Sequence, residues 1–291
     1  MPNTMGSLVD CQKGFEAAKQ GDFVTALREF KPLAEHGDPL AQNYLGELYL
    51  GGLGVPRDFE TATKWFTLSA EQGNTKAQEK MNIISSTCKN GFFAFQQRDF
   101  ATALRELKPL ADQGDALAQG YMGVFYQNGI GVSQDIDTAT KWFTLSAEQG
   151  NAEAQNNLAV IYSERLFGRG YKTAVKWYTL AAEQGYAPAQ LGLGAMYDNG
   201  WGVKRDPGVA TKWYTLAAEQ GYAPAQFNLG AMCMLGKGTP MDFTVARMWY
   251  IIAAAHGHEE AKNGLEKFAD ALSPDQIETA EKLASEWLEI H

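Results

Sequence analysis

Cysteine is too scarce in this chain to hold a fold together. There are three, Cys11, Cys88 and Cys233, and an odd, thinly spread count rules out a disulfide framework. Cys11 and Cys88 fall at equivalent places in two copies of one module, two repeats apart and too far to bridge. All three read as small buried hydrophobes. The four histidines are scattered or near the end of the chain. No run approaches the roughly 20 apolar residues that span a bilayer, which excludes membrane insertion. Positive charge is also short: 25 Lys and Arg against 34 Asp and Glu give a formal charge of −9. Phosphate binding needs clustered cations, so nucleic acid is excluded as a partner, and an anionic membrane surface is disfavoured. The first seven residues are small and polar, without an apolar signal region. The sequence as it stands is expected to be cytoplasmic; if a leader had been removed, the same chain would be periplasmic or secreted.

What is abundant is repetition. Trp65, Trp142, Trp177, Trp213 and Trp249 sit in near-identical segments, such as Lys64-Trp65-Phe66-Thr67-Leu68-Ser69-Ala70-Glu71-Gln72-Gly73. The last four are 35, 36 and 36 residues apart. A fixed period in this range means stacked supersecondary units, each burying its apolar face against its neighbours. Apolar residues make up 45% of the chain, enough for a continuous core, and the 30 glycines recur at fixed places.

One unit, 37–72, shows the design. Asp38-Pro39 starts a helix, with Asp as N-cap and Pro in the first turn. Ala41, Leu45, Leu48 and Tyr49 form one helical face. Gly46 recurs as Gly123, Gly194 and Gly230; glycine inside a helix is unfavourable by about 1 kcal/mol relative to Ala, so its return implies that a neighbouring helix comes too close for a side chain. Gly51-Gly52 ends the helix and Gly52-Leu53-Gly54-Val55 makes a turn. Asp58 then starts a second helix, as do Asp135, Asp206 and Asp242 in other units. Ala62, Trp65, Phe66 and Ser69 lie on its inner face, and Gly73 stops it. The unit is an antiparallel helical hairpin.

The pattern Ala-Gln-x-x-Leu-Gly-x-x-Tyr, Gly-x-Gly-Val, then Ala-x-Lys-Trp-[Phe/Tyr]-x-Leu-[Ser/Ala]-Ala-Glu-Gln-Gly closely resembles the Sel1-like repeat, a relative of tetratricopeptide repeats. The clear units are 37–72, 114–149, 150–184, 185–220 and 221–256. Unit 150–184 is a residue short and has Ser163-Glu164-Arg165-Leu166-Phe167 in place of the Gly-x-Gly turn. A longer repeat is superimposed, with Gly14 to Ile84 resembling Gly91 to Ile161 at an offset of 77 residues. It marks 8–36 as a degenerate hairpin after an N-terminal tail, 1–7. It also makes 73–113 a long unit, whose first half, Asn74 to Gln97, is expected to kink or split near Gly91. The end, 257–291, reads as a capping hairpin: a first helix over Glu259 to Leu272, then a second opened by the capping box Ser273-Pro274-Asp275-Gln276. The resemblance implies an all-α, right-handed superhelical solenoid of about eight hairpins.

Few features suggest chemistry. Gly52-Leu53-Gly54 recurs as Gly129-Ile130-Gly131, Gly200-Trp201-Gly202 and Gly236-Lys237-Gly238. It follows a helix, whereas a dinucleotide fingerprint follows a strand, and so reads as a turn. His256-Gly257-His258 lacks the further ligands of a metal site; His256, like His36, stands where other units have Gln. No catalytic arrangement, cofactor or metal site is expected. The Trp and Tyr stripe reads as core packing, and the Glu-Gln and Ala-Gln pairs as bonds across helix ends between adjacent hairpins.

Partner contacts should therefore lie where the units differ. The most variable column on the first helices includes Asn43, Glu47 and Leu50; Gly120, Val124 and Gln127; Asn156, Val160 and Ser163; Leu191, Ala195 and Asp198; Phe227, Ala231 and Met234. By analogy with tetratricopeptide arrays it faces a concave groove. Two roles are open to it: partner contact, or packing on neighbouring units. The column turns from polar in the early unit to apolar in the last, and the surface near Leu191, Phe227 and Met234 is the favoured site; Trp201, in a turn where other units have Leu, Ile or Lys, is a further candidate anchor. The resemblance implies a non-catalytic, monomeric scaffold that binds a protein or peptide. The alternatives are an exported scaffold acting at the cell envelope or on a host, and a small-ligand binder or enzyme such as the β-lactam-binding relatives, whose paired cysteines in each repeat are absent here.

Overall fold

Aspartate starts many of the helices and glycine ends many of them. The carboxylates of Asp38, Asp58, Asp115 and Asp206 accept the backbone N–H groups of Ala41, Thr61, Ala118 and Val209 at 2.7–3.1 Å. Each satisfies one of the donors that a helix leaves unpaired at its start. First helices stop at Gly52, Gly129, Gly200 and Gly236, all left-handed, where a Cβ would be strained.

The computed structural model describes residues 11–55, 58–83, 89–165, 169–268 and 271–290. Among them are seventeen α-helices and no strand. The chain forms two compact units, Met1–Ile161 and Tyr162–His291. The first holds α1 (Gln12–Lys19), α2 (Phe23–Glu35), α3 (Pro39–Gly51), α4 (Phe59–Glu71) and α5 (Thr75–Ile83). It continues with α6 (Lys89–Gln96), α7 (Phe100–Asp112), α8 (Ala116–Asn128) and α9 (Ile136–Glu148), while α10 (Ala152–Arg165) runs past its end. The second holds α11 (Tyr171–Glu183), α12 (Ala187–Asn199), α13 (Pro207–Glu219), α14 (Ala223–Leu235), α15 (Phe243–Ala255), α16 (Glu259–Gly264) and α17 (Pro274–Ile290). Both units are built as helical repeats, the hairpins α3–α4, α8–α9, α12–α13 and α14–α15 being the most closely packed pairs.

The residue that fills each hairpin is not the tryptophan but its successor. Phe66, Phe143, Tyr178, Tyr214 and Tyr250 are buried, whereas Trp65, Trp142, Trp177 and Trp213 are only half-buried. These rings also explain the helical glycines. A Cβ on Gly46, Gly123, Gly194 or Gly230 would lie 2.5–2.7 Å from the ring of Phe66, Phe143, Tyr214 or Tyr250. An aromatic side chain, rather than a neighbouring backbone, thus excludes the Cβ. Gly91 lies within α6, where an aliphatic side chain takes the same part: Leu107 would meet its Cβ at 2.7 Å. The segment expected to break near Gly91 does form two helices, α5 and α6, but residues 84–88 between them, with Cys88, lie outside the described residues.

Glutamines join the hairpins in two directions. Gln72, Gln149 and Gln220 donate to Gln42, Gln119 and Gln190 of the same hairpin at 2.7–2.8 Å. Gln42, Gln119, Gln190 and Gln226 donate in turn to Ala34, Ala111, Ala182 and Ala218 carbonyls of the preceding second helix at 3.0–3.3 Å. The expected bonds between adjacent hairpins are therefore only half of the relay. The preceding glutamates stay exposed. The turns also interlock: a Cβ on Gly54 or Gly202 would strike the backbone of Phe23 or Tyr171 at the start of the previous second helix.

Two expectations are corrected. The first capping helix stops at Gly264 and tightens into a 3₁₀ turn over Leu265–Phe268, instead of reaching Leu272. Tyr250 takes the space beside Gly264, 2.5 Å from where a Cβ would stand. In unit 150–184, α10 continues to Arg165, and residues 166–168 lie outside the described ones. The capping box of α17 is present, Ser273 N–H donating to Gln276 Oε1 at 3.0 Å and Gln276 N–H to Ser273 Oγ at 3.3 Å.

Gly123→Ala should destabilise the protein. Better helix propensity contributes about 1 kcal/mol, but overpacking against Phe143 costs about 1–3 kcal/mol. Urea denaturation should show a lower midpoint for Gly123→Ala, partly restored when Phe143→Leu is added.

Candidate functional site

The first-helix column is unevenly exposed, because its members differ in what they pack against. Asn43 and Asn156 are buried. Asn43 Nδ2 lies 3.5 Å from Glu47 Oε1, and the same Glu47 oxygen is 3.6 Å from Lys80 Nζ on α5. Glu47 thus ties one first helix to the next while remaining partly exposed. Gln127 is half-exposed and its carbonyl accepts from Gln134 Nε2 at 2.8 Å, closing the following turn.

Between α8 and α10 the column opens into a shallow cavity of about 10 Å³, lined by Gly120, Tyr121, Val124, Glu153 and Asn157 among others. The volume holds about one water.

In the second unit Leu191, Phe227 and Met234 belong to a single apolar cluster with Leu229, Trp249 and Tyr250. Phe227 stacks on the His258 ring at 4.6 Å and tilts against Tyr250 at 5.1 Å. All three are partly buried and pack against that cluster while keeping part of their surface exposed. Asp198 stands at the end of α12, its carboxylate 3.8 Å from Arg205 Nη2 and 3.9 Å from Lys237 Nζ. Burial, and secondarily the Asp198 charge, push the Tyr214 phenol well above its usual range. Trp201 is exposed and stacks on Tyr171 of the previous hairpin, centroids 5.5 Å apart and planes at 21°.

The polar groups that recur are engaged within the fold. Ser69 and Ser146 donate to the Pro39 and Ala116 carbonyls at 2.5 Å. His256 replaces the relay glutamine, its Nδ1 2.8 Å from Gln226 Oε1. His258 Nδ1 accepts from Ala261 N–H at 3.2 Å and caps α16. Burial raises the pKa of Cys233, which stabilises the thiol over the thiolate. Among the described residues no group of three or more His, Cys, Asp or Glu could hold a metal ion, and no helix is long and apolar enough to cross a membrane.

This arrangement has known counterparts. Residues 39–74, 116–151, 152–186, 187–222 and 223–258 each match the Sel1 repeat, together more than half of the chain. The chain belongs to the Sel1 repeat family. The matched boundaries begin at the first helix of each hairpin, as α3, α8, α10, α12 and α14 do. A protective antigen of uropathogenic Escherichia coli, described as displaying an SLR fold, is 31% identical, with a TM-score of 0.65. The match covers 99% of this chain and 61% of that one. A Sel1 repeat protein from Oxalobacter formigenes is 28% identical over 96% of this chain and 95% of its own, with a TM-score of 0.51. Among curated relatives, DAP3-binding cell death enhancer 1 of Rattus norvegicus is 30% identical over 193 residues, 53% of this chain. Chitin synthase regulatory factor 3 of Schizosaccharomyces pombe is 30% identical over 165 residues, 54% of this chain. The chain spans only 36% and 17% of those two proteins' lengths. Sel1 repeat proteins are typically protein-interaction scaffolds.

The joint between the last Sel1 hairpin and the cap should be acid-sensitive. Burial lowers the His256 pKa from 6.5. As pH falls through 6.5, the unfolded chain takes up a proton that the folded chain resists, so stability falls with pH in that window. His256→Gln restores the residue found in the other hairpins. It should reduce the fall in melting temperature between pH 7.5 and 5.5, measured by circular dichroism against the parent protein.

Proposed function

We propose that this Sel1 repeat protein is a non-catalytic scaffold that grips a peptide or protein segment along its first-helix column. One observation carries the reading: the glutamines and serines that recur are engaged within and between hairpins, while the first-helix groups that vary include accessible ones. Glu47, Val124, Gln127 and Asp198 are all partly exposed on first helices, and they differ in charge and polarity from hairpin to hairpin. Such a surface offers a partner distinct contacts at intervals, the mode by which extended segments are recognised.

The cavity over Gly120 is itself too small for a metabolite. Small-molecule pockets enclose about 300–1,000 Å³, and this one is about 10 Å³. The relatives agree in kind, one named for binding another protein and one as a regulatory factor. Within the second unit Trp201 adds an exposed aromatic ring at the turn edge, suited to anchoring.

Affinity capture from the native cell, followed by identification of the bound chains, tests this reading. The combined variant Val124→Asp, Gln127→Ala, Asp198→Lys and Trp201→Ala should recover at least tenfold less partner while keeping the parent helical spectrum. Equal recovery would refute the column as the binding face. Phe227 and Met234 are unsuitable for this test, since their side chains support the cluster around Tyr250.

A further inference from the structure

Each Sel1 second helix has a leucine three residues after its tryptophan, one turn along the same face. Leu68, Leu145, Leu180 and Leu216 are 43%, 45%, 38% and 42% exposed. Single exposed leucines are ordinary, but these four recur at one position of the repeat, two in each unit. The equivalent residue in the last hairpin is Ile252, and it is 0% exposed. The difference is α17, which packs along α15.

The seated helix has a definite chemistry. Ala280 and Ala284, four residues apart, are fully buried, and Ile277, Trp287 and Leu288 extend the same apolar seam. Trp287 meets Trp249 edge-on at 5.8 Å and His256 at 5.9 Å. Glu281 pairs with Arg247 at 3.0 Å, and Asp275, Glu278, Glu286 and Glu289 leave the helix acidic, with Lys282 its one cation. The uncovered leucines each follow a lysine by one turn; Lys176 and Lys212 are exposed beside Leu180 and Leu216. In the degenerate hairpins α2 and α7, Pro32 and Pro109 replace the leucine, and Glu29 and Glu106 the tryptophan. The apolar face is therefore restricted to the Sel1 hairpins.

We propose that the lysine–leucine rows of the Sel1 second helices are a docking surface for an acidic amphipathic α-helix with a seam of small residues, the chemistry that α17 supplies to the last hairpin. The row Lys176, Leu180 with Lys212, Leu216 is its representative in the second unit. Small side chains let the helix approach closely over the leucines, and its carboxylates meet the lysines. This surface lies on second helices, separate from the first-helix column, so the two readings stand or fall independently.

The test uses the full chain and a fluorescent synthetic peptide with the sequence of residues 273–290, followed by anisotropy. The peptide should bind saturably. Leu68→Asp, Leu145→Asp, Leu180→Asp and Leu216→Asp combined should weaken binding at least tenfold, with an unchanged helical spectrum. A peptide carrying Ala280→Glu and Ala284→Glu should bind the parent protein at least tenfold more weakly, a comparison that needs no protein variant. Absence of binding, equal binding by the leucine variant (as when the peptide merely displaces α17 from Ile252), or equal binding of the two peptides would overturn the proposal.

Discussion

Everything in this fold depends on an aromatic ring that occupies the place of a missing Cβ. Phe66, Phe143, Tyr214 and Tyr250 each lie over a helical glycine, with no room for even one added carbon. Burying such a ring contributes about 1.5–3 kcal/mol, which outweighs the roughly 1 kcal/mol lost by placing glycine in a helix. The same ring sets the distance between the two helices of a hairpin. That distance brings Gln72 to Gln42 and Ser69 to the Pro39 carbonyl, so the buried polar bonds follow from the packing.

Stacking follows from the same geometry. Each first-helix glutamine lies between its own hairpin and the one before, giving to one and accepting from the other. Left unpaired in a buried place, such an amide would cost about 1–3 kcal/mol. The relay therefore favours a neighbour in one register only. The turn glycines add a steric check on that register, since Gly54 and Gly202 fit against the preceding helix start only without a side chain. The recurring glutamines and turn glycines thus have structural duty.

The tryptophans illustrate how far pattern alone could mislead. They are the most visible repeated residues, yet four of the five described are only half-buried, and only Trp249, beneath α17, is enclosed. Periodicity places Trp65 and Phe66 on the same helix face but cannot rank their burial, because adjacent residues differ by only 100° around the axis. The variable column was equally visible, though its division into packed and accessible members was not. Phe227 looks wholly available until His258 and Tyr250 cover part of its ring. Asn43 looks polar enough for a surface until neighbouring hairpins bury it.

Local chemistry fixed the helices, their caps and their period, because Asp N-caps, left-handed glycines and the apolar pattern act within a few residues of one another. It also fixed the family, since the same short segments recur in five hairpins. Burial was decided only by the assembled hairpins. Leu216 and Ile252 occupy the same place in the repeat, and although Met248, Ile251 and Ala255 make the surroundings of Ile252 more apolar than Lys212, Thr215 and Glu219 make those of Leu216, neither stretch contains the helix that leaves one 42% exposed and the other 0%. The difference comes from α17, some twenty residues further along the chain, because solvent exposure depends on what the rest of the chain brings against a side chain.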